Sequence, residues 1–116
     1  MKKTVWILAF TLLTAFRADD GITIKGVVLV HYNASFNQSN NYTDIVRIKD
    51  AKVMKSWIDE HPEIKSNERI RSVPTLILYK DGREVHRWEA GISLELTVPY
   101  IQVQREIDKL TGANKF

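Results

Sequence analysis

Residues 70–85 read Ile-Arg-Ser-Val-Pro-Thr-Leu-Ile-Leu-Tyr-Lys-Asp-Gly-Arg-Glu-Val. Leu76–Tyr79 is a short apolar run bounded by turn residues, the pattern of a buried strand. Asp81-Gly82 supplies two residues that tolerate positive φ, as a two-residue hairpin requires. Glu84–Glu89 reads as the return strand. Ahead of the hairpin, Val73-Pro74 is a bond that a fold can hold cis, because X-Pro prefers trans by only about 0.5–1 kcal/mol.

Working outward, Pro99 opens a final helix with Tyr100, Val103, Ile107 and Leu110 as its apolar stripe and Gly112 as its C-cap. Pro62 suits the first turn of another helix, where its missing N–H has no partner anyway. Val53–Ile58 reads either as a strand by alternation or as part of a helix face with Ala51 and His61. Tyr42, Ile45, Val46 and Lys49 have helical spacing. Residues 33–41 are polar and turn-prone. Ile22–Tyr32 is extended, with the β-branched centre of a central strand. Val5–Phe10 suits a strand buried on both faces, and Thr11 caps a short helix through Phe16. Alternating β and α elements followed by a hairpin predict an α/β domain, a mixed sheet with helices on both faces.

The chain has 116 residues, 17 Lys and Arg against 14 Asp and Glu, and no cysteine. That length predicts a single domain over 1–116. The charges of both signs are interleaved along the chain, which speaks against a nucleic-acid footprint. Without cysteine there is no disulfide, no thiolate metal site and no thiol nucleophile. His31, His61 and His86 have no metal-ligand spacing, and no catalytic triad or glycine-rich phosphate loop is visible. No cofactor, metal or catalytic residue is expected. Lys2-Lys3 followed by Thr4–Phe16 has the character of a secretory signal. Its apolar stretch is short of the roughly 20 residues a spanning helix needs. Phe16 is bulky where a cleavage site takes a small residue. Residues 1–18 are read as part of the fold, secretion stays open, and an intracellular setting or an assembly is expected.

The element order, with the motif at 70–85, resembles the thioredoxin-like family over nearly the whole chain. The resemblance places Phe36 at the aromatic position before the active-site turn and Asn37-Gln38-Ser39-Asn40 at the Cys-x-x-Cys positions. Ile58-Asp59-Glu60-His61-Pro62-Glu63-Ile64 is similar to the family's Val-Asp-x-x-Asn-Pro-Glu-Leu, which favours a strand at 53–58. Gly91 falls where the family keeps a glycine beside the cis-proline loop. His31 stands at the family's buried acid. Both thiols and the acid that serves them are replaced together, and the helix after the turn is short. The resemblance implies a redox-inactive member of the fold.

The same resemblance implies partner-binding positions: Phe36, Asn37, Gln38, Ser39, Asn40, Val73, Pro74 and Gly91. In the family the backbone before the cis-proline pairs with an extended peptide, here at Val73. Pro74 can equally serve the fold alone. The turn asparagines can face a partner or serve local turn bonding. Asn33-Ala34-Ser35, Asn37-Gln38-Ser39 and Asn41-Tyr42-Thr43 also match the glycosylation acceptor pattern. A partly exposed Trp88 on the final strand would suggest an interface. The expected function is recognition of a protein partner. The alternatives are a structural or accessory subunit of a larger assembly, viral ones included, and a thiol-independent enzyme on the same fold.

Overall fold

The computed structural model describes residues 25–112. The strand at Val5–Phe10, the helix to Phe16 and the segment 1–18 lie outside the described residues. Strands β1 (Val27–Asn33), β2 (Lys52–Trp57), β3 (Thr75–Lys80) and β4 (Arg83–Glu89) form one sheet in the order β2-β1-β3-β4. β2 runs parallel to β1, whereas β3 is antiparallel to β1 and to β4, so the sheet is mixed. Helix α1 (Pro62–Asn67) precedes β3, and α2 (Tyr100–Thr111) follows β4.

β1 explains why the sheet has two buried faces. Val28, Val30 and Tyr32 point to one side with Ile77 and Tyr79, where Ile64 of α1 packs. Leu29 points to the other with Leu76, Leu78, and Val103 and Ile107 of α2. Such a strand has no solvent face to alternate with, so its sequence opens with a continuous apolar run, Val27–Val30. The Tyr32 and Tyr79 hydroxyls are 2.7 Å apart, and Tyr79 donates on to Glu68. Burial therefore raises both phenols' pKa values without leaving either hydroxyl unpaired.

The hairpin follows its sequence. Asp81 and Gly82 both take positive φ, 52° and 84°. The Asp81 carboxylate accepts the Gly26 N–H at 2.7 Å, and Gly26 C=O accepts the Asp81 N–H, which ties the turn to the start of β1. The ambiguous segment before α1 is a strand, shifted one residue from the expected bounds. α2 ends at Gly112, in the left-handed region at φ 76°.

The helix expected from Tyr42, Ile45, Val46 and Lys49 does not form. The chain makes a 3-10 turn at Thr43–Arg47, after a first one at Ser35–Asn40. Three residues per turn put Tyr42, Ile45 and Ile48 on the inward side and leave Val46 80% exposed. The Ile45 N–H reaches Tyr42 C=O, and the Ile48 N–H reaches Ile45 C=O. Gln104 of α2 then holds the next residue at both ends, accepting the Lys49 N–H at 2.8 Å and donating to its C=O at 2.9 Å.

Candidate functional site

The Val73–Pro74 peptide bond is cis. The segment that carries it is fixed from behind. Arg69 takes positive φ and the Ile70 N–H turns back to Lys65 C=O, closing α1. The Arg87 guanidinium of β4 then donates to the carbonyls of Glu68 and Arg69 and pairs with Glu84, which raises its pKa. The chain entering residues 70–73 is therefore tied to β4 at Glu68 and Arg69.

In front of them lies a groove of about 480 Å³. Its floor is apolar: Ile58, Ile70, Val73 and Leu94. Phe36, at 76% exposure, and Ile92, fully exposed, line it as well. Gly91 lines it too, with open space where a Cβ would stand.

The turn beside the groove faces inward. Asn37 is buried at 3% exposure, and Asn33 is fully buried. The Asn37 amide donates toward Leu94 C=O (3.0 Å), Asn33 Oδ1 (3.2 Å) and Val73 C=O (3.3 Å). Its own oxygen accepts from Asn40 at 2.9 Å. The Asn33 amide donates to Asn41 Oδ1 and to the Asn37 carbonyl. Position 37 thus cross-links the turn to the segment before Pro74 and to the loop after β4. Ser35 N–H is held by the exposed carboxylate of Asp59, whose pKa is lowered by the Ser35 side chain first and by this N–H second.

His31, one turn of alternation before Asn33, extends the same tie. It is 2% exposed, and its Nε2 accepts the Tyr42 N–H at 3.0 Å. Burial first, then the Lys55 charge, lower its pKa to about 4. The ring is a neutral acceptor that pins the second 3-10 turn to β1. Tyr42 donates its hydroxyl to Val98 C=O, and burial raises that phenol to about 12.

Of the eight expected partner-facing residues, Phe36, Gln38, Ser39 and Gly91 are exposed and Asn40 is half-buried. Asn37, Val73 and Pro74 are buried. Their side chains offer a partner little surface, because their polar and apolar groups are spent inside. Sequence reasoning misses Ile92, Ile70, Leu94, Lys65 and Arg71. Ile92 opens the alternation Ile92, Leu94, Leu96, Val98 in the loop after β4, and of these four it alone is exposed. Trp88 is half-buried, packed against the α2 side of the sheet with its ring 4.3 Å from that of His86. No described helix is long and apolar enough to cross a membrane.

The fold and the chain have recognisable relatives. A thioredoxin of Chlamydia caviae is 35% identical over 68 residues, covering 53% of this chain and 67% of its own. The chain belongs to the thioredoxin family. A thioredoxin of Rickettsia bellii is 54% identical over 33 residues, which is 28% of this chain and 31% of that protein. The chain spans about a third to a half of the length of the first curated relatives it matches. A solved structure of a mutant thioredoxin from Halobacterium salinarum superposes with a TM-score of 0.60 at 26% identity, over 75% of this chain and 76% of that one. No family model matches the chain. Against that family, this member has no cysteine anywhere, and thiol–disulfide exchange starts from a thiolate.

Proposed function

We propose that this protein is a redox-inactive member of the thioredoxin family that recognises an extended segment of a partner protein in the groove beside Val73. The observation that carries this reading is the groove itself. An apolar floor is lined by two large hydrophobic side chains left in water, Phe36 and Ile92, next to the bend that carries the cis Val73–Pro74 bond. Among the described residues the Val73 N–H has no acceptor, so it is free for a strand-like contact. With asparagine at 37 and 40, the turn supplies shape and no nucleophile. It replaces covalent chemistry with side-chain amide hydrogen bonds that hold the groove wall in place.

Phe36 and Ile92 are exposed, so replacing them tests recognition without opening the core. An array of extended hexapeptides should yield binders for the wild-type protein. Phe36→Asp combined with Ile92→Asp should weaken the best of them by at least about tenfold, since burying a Phe or Ile side chain is worth about 1.5–3 kcal/mol. Thermal unfolding should stay within a few degrees of wild type. Equal binding by the variant, or no binder at all, would leave the fold as a structural subunit with no groove function.

A further inference from the structure

The groove's charged side chains share one sign. Its lining includes Lys65 and Arg71 and no carboxylate. Arg71 is already committed, with its guanidinium 2.6 Å from Glu89. Lys65 is exposed, lies on α1 at the groove rim, and makes no ion pair among the described residues. The Val73 carbonyl is taken by the Asn37 amide. The Val73 N–H is left without a described acceptor. Asp59, which holds the turn beside Phe36, is not among the lining residues. What the groove offers beyond apolar contact is therefore a donor and a positive charge.

Resting on the peptide-recognition reading above, we infer that the groove selects an apolar segment flanked by a carboxylate, with Lys65 as the residue that reads the charge. The apolar part of the segment packs between Phe36 and Ile92. An aspartate, a glutamate or a chain-terminal carboxylate then lies within reach of the Lys65 ammonium. Lys65 acts as a specificity residue on the rim, and the apolar floor supplies most of the affinity. An exposed ion pair adds modestly to affinity and is screened by salt, so the selection is strongest at low ionic strength.

Two fluorescein-labelled hexapeptides of alternating valine and leucine, one ending in two glutamates and the other in two lysines, separate the possibilities by fluorescence anisotropy. The acidic peptide should bind about fivefold more tightly at low salt, the size expected of one exposed pair exchanged for a repulsion. Lys65→Glu should reverse the preference, and Arg71→Gln should leave most of it in place. Half-molar salt should bring the two affinities together. Circular dichroism establishes that both variants are folded. Equal binding of both peptides at low salt overturns the charge selection and leaves the groove reading intact. A preference for the lysine peptide also overturns it. Binding of neither peptide removes the groove reading as well.

Discussion

Asn37→Asp is expected to lower the free energy of unfolding by about 4 kcal/mol at neutral pH. The substitution is isosteric and changes one amide nitrogen to oxygen. That nitrogen now donates toward Leu94 C=O, Asn33 Oδ1 and Val73 C=O. An aspartate would aim a buried, charged acceptor at those acceptors, leaving each without its donor. An unsatisfied buried polar group costs about 1–3 kcal/mol, and an uncompensated buried charge costs more. A domain of this size has only about 5–15 kcal/mol in total, so the variant should lie near the edge of folding. Protonation returns a neutral carboxyl, so the deficit should shrink as pH falls toward 5. Gln38→Ala, one position away on an exposed side chain, should change stability by no more than about 0.5 kcal/mol. Urea unfolding of the two variants at pH 7 and pH 5 measures all of this. Equal, small effects at positions 37 and 38 would mean that the turn is not locked through Asn37.

The second large effect is a pH dependence of stability written by His31. Its pKa is lowered from 6.5 to about 4 in the folded protein, by burial and by Lys55. Between those values the unfolded chain takes up a proton at residue 31 that the folded chain refuses. The unfolded state binds more protons there, so stability rises with pH across that window. It is fully present above pH 6.5 and is lost as pH falls toward 4. At 1.36 kcal/mol for each unit of pKa difference, the loss across the window is about 3 kcal/mol. Asp59, Asp81 and Glu89 have carboxyls held below their ordinary values, so they add an acid-side loss at lower pH. His31→Gln isolates the histidine. Its amide oxygen can accept from Tyr42 N–H but takes no proton, so the variant's stability should be nearly flat from pH 6.5 to 4.5. A wild-type profile as flat as the variant's would show that His31 titrates alike in both states.

The fold was legible where one residue type had one reason to be where it is. Asp81-Gly82 marks a turn that needs positive φ twice, and Pro99 with Gly112 brackets α2 at both ends. β1 was legible because a strand covered on both faces cannot hide its apolar run. Tyr42 and Ile45 were misread because periods of 3 and 3.6 agree over a single turn. They separate only at Val46 and Lys49, which the 3-10 geometry leaves exposed.

The site was legible only in outline. Asparagine bonds equally well to its own backbone, to a buried neighbour or to a partner, so residue type could not say which way Asn37 pointed. Its orientation depends on carbonyls 36 and 57 residues away, those of Val73 and Leu94. Ile92 was overlooked because a single apolar residue on a surface is ordinary. It becomes informative once it lines the same groove as Phe36.

Recognition at that groove, with the turn held inward, is tested most directly by a proton–nitrogen NMR titration with a peptide selected on the array. The backbone amides of Phe36, Val73, Gly91 and Ile92 should shift together and saturate at one affinity. The side-chain amide signals of Asn33 and Asn37 should keep their positions. Shifts confined to a second cleft, lined by Tyr42, Asp44, Glu95 and Val98, or loss of the Asn37 side-chain signal on binding, would contradict it.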